Sequence, residues 1–219
     1  MKNLILILLT VLLCDACATT DGFKDADFVF VGLKQSTSNG EDTYMSDAII
    51  AATGGHCDTN FIHVGIIDVT NDTVFVIEAT PQAGVVRRPL SVMLSEYDVN
   101  DNQEPVFQYM RLKQHHEPEV LEGFVANAKK YVGRGYDFRF SPGNEEQYCS
   151  ELVYNVYILP SGKHVFAAKP MNFKSADGTY SSYWVNLFGA LGDTIPQGVS
   201  GTNPNDMSHD DDIMVVYPR

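Results

Sequence analysis

Runs with the period of a strand and runs with the period of a helix follow one another along this chain. "DADFVFVGL" (25–33) gathers Phe28, Val29, Phe30 and Val31 before Gly32 and predicts a strand. "YMSDAIIAATGG" (44–55) sets Met45, Ala48, Ile49 and Ala52 at helical spacing and stops on two glycines. "FIHVGIIDVTNDTVFVIEAT" (61–80) predicts two β-rich runs folded about Asn71 and Asp72 as a hairpin. "GVVRRPL" and "PVFQYMRL" predict two more strands. "PEVLEGFVANAKKYVG" (118–133) predicts a helix, with Pro118 near its start and Gly133 after its end. From Cys149 onward Leu152, Val153, Val156 and Tyr157 share one helical face. "SSYWVNLFGALG" predicts a late helix and "DIMVVYP" a closing strand.

Strands and helices are interspersed without a repeat, a low-complexity linker or a shift in composition, which predicts one α+β domain. The most loop-like join is "KQHHEP" (113–118). The first residues stand apart. "MKNLILILLTVLLCDACA" has one lysine, an apolar run from Leu4 to Leu13, then small residues. This is the pattern of a secretory signal peptide, too short for a comfortable membrane span. Ala16 and Ala18 form an A-x-A cleavage site, so residues 1–18 are expected to leave and the domain to occupy 19–219. A competing reading makes Cys17 a lipid-carrying N-terminus, although Cys14 and Asp15 suit a lipoprotein signal poorly. Either way the expected location is outside the cytoplasm, in the periplasm or cell envelope, with any membrane attachment through Cys17.

About 200 mature residues suffice for one domain with a substantial core. The net charge of −13 survives removal of 1–18, because Lys2 and Asp15 leave together. So acidic a protein is not expected to bind nucleic acid, whose phosphates call for clustered Lys and Arg. Of four cysteines, Cys57 and Cys149 remain after either cleavage. They could form one disulfide, or be one active thiol and one bystander.

Chemistry enters with Cys149. "RFSPGNEEQ" before it is polar and broken by Pro142 and Gly143, so the thiol falls at the first turn of its helix. Unpaired N–H groups and the positive dipole end favour a thiolate there. The plain alternative is a cysteine packed as a small hydrophobe. On the hairpin, His63 interrupts one apolar run and Glu78 ends the other. A lone strand histidine is commonly a satisfied core or edge residue, and Glu78 could be a solvated edge carboxylate. On adjacent strands they can also meet, and with Cys149 they supply a thiol, a base and a group to orient the base.

Other chemistries find less support. His56, Cys57 and His63 form H-C-x5-H, which lacks recurrent zinc spacing, and "SHDDD" (208–212) reads as a solvated acidic loop. No Gly-rich phosphate loop or G-x-S-x-G elbow occurs. Neither a metal nor another cofactor is expected. Tyr180, Tyr183, Trp184 and Phe188 read as the packed face of an amphipathic helix, with the wall of an apolar cleft as the alternative.

"DADFVF", "HVGII", "VIEATPQAGVV", "YDFRF" and "YCSELVYNVY" together resemble the YiiX-like group of circularly permuted NlpC-type papain-like hydrolases. The tail with "IPQGVSGTNPNDM" is similar too, so the resemblance spans nearly all of 19–219. Ordinary members carry the cysteine first; here the order is His63, Glu78, Cys149, as in the permuted branch. The resemblance implies an antiparallel sheet with the cysteine helix packed on it, and a Cys149–His63–Glu78 triad. It implies a thioester intermediate, with the Cys149 N–H and a side-chain donor binding the oxyanion. Tyr136, Tyr148 and Gln35 are the candidates for that donor. Unpermuted relatives cut murein stem peptides, and permuted ones include acyltransferases similar to lecithin retinol acyltransferase. The leading expectation is an exported thiol hydrolase cleaving an amide, a peptide or amino-acid linkage of the cell envelope, in a peptide or small-molecule substrate. The alternatives are a lipid-acyl hydrolase or acyltransferase, and a binding protein on the same scaffold.

Overall fold

The computed structural model describes residues 22–34, 44–54, 59–97 and 105–217. Its centre is an antiparallel sheet. β1 (Phe28–Lys34) lies in the middle, flanked by β2 (Thr59–Thr70) and β5 (Pro105–Leu112). β3 (Thr73–Thr80) and β4 (Gly84–Pro89) continue one side, and β8 (Ile213–Tyr217) closes the other. The order is β4-β3-β2-β1-β5-β8, and every neighbouring pair is antiparallel. A second, two-stranded ribbon joins β6 (Lys169–Pro170) to β7 (Ser200–Gly201).

The expected hairpin is present. Asn71 and Asp72 both have positive φ, 49° and 58°, the backbone that a two-residue primed turn requires and that Asn and Asp tolerate. At the opposite end, Gly84 takes φ 66° where β4 meets the chain at Arg134; a Cβ there would come within 2.1 Å of the Arg134 carbonyl oxygen. That approach lets Val85 N–H donate to the Arg134 carbonyl and Gly133 N–H to the Val85 carbonyl, fixing the run that leads to Tyr136.

Pleat alternation divides the sheet into two apolar faces. Phe28, Phe30, Val64, Ile66, Ile77 and Ala79 join the main core. It is completed by α3 (Pro118–Lys129), α4 (Cys149–Val156) and α5 (Ser182–Leu191). Val29, Val31, Ile67 and Val76 pack instead under α2 (Leu90–Tyr97), through Leu90 and Met93. α1 (Met45–Thr53) and the short α6 (Pro204–Ser208) lie against β2. Leu152, Val153, Val156 and Tyr157 are all buried, as their shared helical face requires. Trp184 and Phe188 are buried in the core as well.

Two boundaries depart from the sequence reading. The helix begun at Pro118 ends at Lys129, and the run to Gly133 turns instead, with Gly133 at φ 94°. Strand pairing after Gly84 stops at Pro89, and Leu90 opens a helix that the apolar run had hidden.

Candidate active site

Register brings the polar residues of the hairpin together. Val31 pairs with His63 while Gly32 pairs with Phe61, so Ile62 is an extra residue in β2. Such a bulge bends the strand and re-aims the side chain beside it. Ile66 pairs with Ile77 and Val76 with Arg88, which makes His63, Glu78 and Arg88 diagonal neighbours across β2, β3 and β4. Gly65 keeps that diagonal open. A Cβ at position 65 would lie 2.5 Å from Val76 Cγ2 and 3.4 Å from Glu78 Cβ.

Glu78 is fully buried, not an edge carboxylate in solvent. Its Oε2 lies 2.6 Å from His63 Nε2, and its Oε1 accepts a 2.6 Å hydrogen bond from Arg88 Nε. Arg88 Nη1 donates to Glu96 at the end of α2. Burial alone would raise the Glu78 pKa, but His63 and Arg88 hold it below the usual carboxylate value. The result is a charged, fixed acceptor at one end of the imidazole.

At the other end stands Cys149, the first residue of α4 and a free thiol. It borders the same cleft as His63, and its thiol helps to hold the imidazole in its charged form. With Nε2 held by Glu78, the ring nitrogen left for the sulfur is Nδ1. Burial would lower the His63 pKa; Tyr97, Cys149 and Glu78 outweigh it and hold the pKa well above the ordinary value. The Tyr97 ring lies 6.2 Å from the imidazole, centroid to centroid. Cys57, the other member of the envisaged disulfide, lies outside the described residues.

His63 and Cys149 open on a cleft of about 450 Å³ whose walls include Met45, Thr80, Gln82, Arg88, Tyr97 and Tyr136, with Glu78 buried behind the imidazole. Of the three donor candidates, Tyr136 reaches this cleft. Burial keeps its pKa well above the usual tyrosine value, so the hydroxyl stays protonated; it donates to Met45 Sδ at 3.7 Å, a weak acceptor on the cleft wall. The Tyr148 hydroxyl is engaged elsewhere, accepting from Thr202 N–H at 3.2 Å and lying 3.7 Å from Met171 Sδ. Gln35 lies outside the described residues. The first-turn N–H groups of α4, that of Cys149 included, have no intrahelical acceptor.

Glu151 does not act as the helix-end anion its position suggests. Burial, with Asp137 nearby, raises its pKa to about 8, while the Tyr148 N–H at 3.4 Å opposes the shift. At neutral pH it is mainly a neutral acid in the first turn of α4. Arg88, Glu96 and Tyr97 were not foreseen as site residues. Leu90, Met93, Leu94 and Tyr97 do recur at helical spacing, a signal that marks α2, but Arg88 becomes a partner of Glu78 only through the strand register.

A family model for permuted papain-like amidases of the YaeF/YiiX type, family C92, matches residues 27–217. The uncharacterized protein YiiX of Escherichia coli K12 is 29% identical over 107 residues, 49% of this chain and 50% of that protein. The chain thus aligns with about half the length of this curated relative. The crystal structure of the metalloprotein YiiX from Escherichia coli O157:H7 matches with a TM-score of 0.66 at 25% identity, over 90% of this chain and 97% of that one. Among the described residues here, no three His, Cys, Asp or Glu side chains converge as a metal-binding group. The antiparallel sheet, the histidine strand that precedes the cysteine helix, and a match through nearly all the described chain have one reading: the chain belongs to the permuted papain-like amidases of the YaeF/YiiX type, a family of cysteine peptidases and amidases.

Proposed function

We propose that the chain is an exported cysteine hydrolase that cleaves an amide through Cys149, His63 and Glu78. The observation that carries this reading is the imidazole held by the buried Glu78 carboxylate, 2.6 Å from Nε2, on the same cleft as the free Cys149 thiol. The Cys149 sulfur, its proton passed to His63, attacks the amide carbonyl carbon. The oxyanion forms against the Cys149 N–H and the Tyr136 hydroxyl. As the C–N bond breaks, His63 returns the proton to the leaving amine, and a thioester remains on Cys149. Water, deprotonated by His63, then releases the acid and regenerates the thiol. Glu78 fixes the ring tautomer and favours the imidazolium, and Arg88 fixes Glu78.

The substrate class proposed is a peptide or amino-acid amide of the cell envelope, reached after residues 1–18 direct export. Exposing the protein to amide and lipid-ester thiol probes and weighing the adducts tests the chemistry. An amide-derived acyl mass on the peptide containing Cys149 supports it; exclusive labelling by lipid esters, or labelling elsewhere, contradicts it. N-terminal sequencing tests export: Thr19 is the expected first residue, and a diacylglycerol mass on Cys17 would replace cleavage after Ala18 with lipid anchoring.

A further inference from the structure

Cys149 stands between two unlike spaces. On one side is the open cleft with His63, Arg88, Glu96 and Gln82. On the other is a recess of about 50 Å³ bounded by Ala52, Phe140, Tyr148, Met171, Phe173 and Trp184. Cys149, Tyr136 and Ile49 border both. His63 borders the cleft and is not among the residues of the recess. Ser150, Trp184 and Thr202 also border the recess, yet Ser150 Oγ, Trp184 Nε1 and Thr202 Oγ1 are closed off from solvent. Thr53, Asn172 and Asn203 add polar groups to its border, but most of the surface it offers a ligand is apolar.

Given the reaction proposed above, on which this inference rests, proton transfer orients the substrate. His63 must reach the leaving nitrogen, so the amine half lies in the cleft that His63 borders. The acyl carbon is bonded to Cys149, and its substituent falls away from the imidazole, toward the recess. We infer that the recess is the acyl-side specificity pocket and that it takes a short, uncharged aliphatic side chain. Its size matches. One water takes up roughly 10–15 Å³ of such space, so the recess holds a few heavy atoms and no long acyl chain. The amine half meets the polar wall of Arg88, Glu96 and Gln82, so the two halves of the substrate are recognised by opposite chemistry.

Nitriles isolate the acyl half because they have no leaving group. The Cys149 sulfur adds to the nitrile carbon, the thiol proton passes through His63 to the nitrogen, and a reversible thioimidate forms. N-acetyl nitriles derived from glycine, valine and glutamate, and octanenitrile, are compared by how well each protects Cys149 from iodoacetamide. The valine compound is expected to protect at least about tenfold better than the glycine compound, since its three added carbons exceed the one methylene that already supplies this range in an apolar pocket. The glutamate compound and octanenitrile are expected to protect worse than valine. Ala52→Leu, at a half-buried position outside the catalytic groups, fills the recess. It should abolish the valine preference and leave protection by the glycine compound within about twofold. An unchanged valine preference in Ala52→Leu, or tighter binding of glutamate or octanenitrile, overturns the pocket. So does rapid iodoacetamide labelling that no nitrile slows. A Cys149 that iodoacetamide itself does not label overturns the nucleophile, a separate and recognisable failure.

Discussion

His63 Nε2 lies 2.6 Å from Glu78 Oε2, and the second oxygen of that carboxylate accepts from Arg88 Nε at the same distance. One buried carboxylate is thus shared between the ring it orients and a guanidinium on the next strand. Both oxygens are occupied, so Glu78 has little freedom to turn away from the imidazole.

Removing Arg88 should disturb this arrangement without touching the thiol. The Glu78 pKa is depressed in the folded state, so its contribution to stability is present above the unfolded carboxylate pKa and is lost as pH falls through the folded value. In Arg88→Met the depression weakens, and that loss begins at a higher pH. Denaturation midpoints across pH 3–7 should show an earlier acid decline, with a cost of roughly 3 kcal/mol for a buried charge left short of its partner. The acid limb of the activity profile should move up with it. A profile that does not move would leave Arg88 as a packing residue.

Gly65→Ala tests the open diagonal. The added Cβ meets Val76 Cγ2, a stiff β-branched side chain that is itself fully buried. A cost of about 1–3 kcal/mol is expected, with a fall in turnover as Glu78 is pushed from His63. Val76→Ala in the same chain should recover part of the turnover, because it returns the space. Recovery of stability without recovery of turnover would separate Gly65 from the site.

Much of this architecture was legible in the sequence. The Asn71-Asp72 turn announced the hairpin, and the face of Leu152, Val153, Val156 and Tyr157 announced the cysteine helix, because both depend on local backbone preference and on a simple period. The contact between His63 and Glu78 followed from their lying on the two arms of that hairpin. Arg88 was hidden, since its role depends on register across a third strand. Tyr97 was hidden because Leu90 reads equally well as the end of a strand. The neutral state of Glu151 is set by burial beside Asp137, a tertiary property that its helix position does not reveal.

That neutral acid yields a stability prediction of opposite sign to that of Glu78. Glu151 has a folded pKa of about 8, raised above 4.5. The folded state therefore holds the proton more tightly than the unfolded one, and the stabilisation is lost as pH rises through this window. Each unit of pH in the window amounts to about 1.4 kcal/mol at most. Glu151→Gln should flatten the decline between pH 5 and 8 relative to the unchanged chain in chemical denaturation. An identical slope in both proteins would mean that Glu151 is ionised when folded.

Within the proposed catalytic unit, single losses should be nearly complete. Cys149→Ala and His63→Ala should each remove almost all turnover, and their combination should add little, because groups that act together are strongly non-additive. Glu78→Gln should be milder, since Glu78 orients and polarises the ring without moving a proton itself. Multiplying losses in the double variant would assign the two residues to separate roles.

The rate of iodoacetamide labelling at Cys149, followed from pH 5 to pH 9 in the unchanged chain and in His63→Ala, reaches the centre of the proposal most directly. It reads the thiol–imidazole pair without requiring the substrate. With the pair intact, His63 takes the thiol proton and labelling should already be fast near pH 6. His63→Ala should slow labelling at pH 6 by at least about tenfold, and the two rates should converge toward pH 9. Superimposable profiles, with turnover surviving in Cys149→Ala, would contradict the pairing and return Cys149 to a packing role.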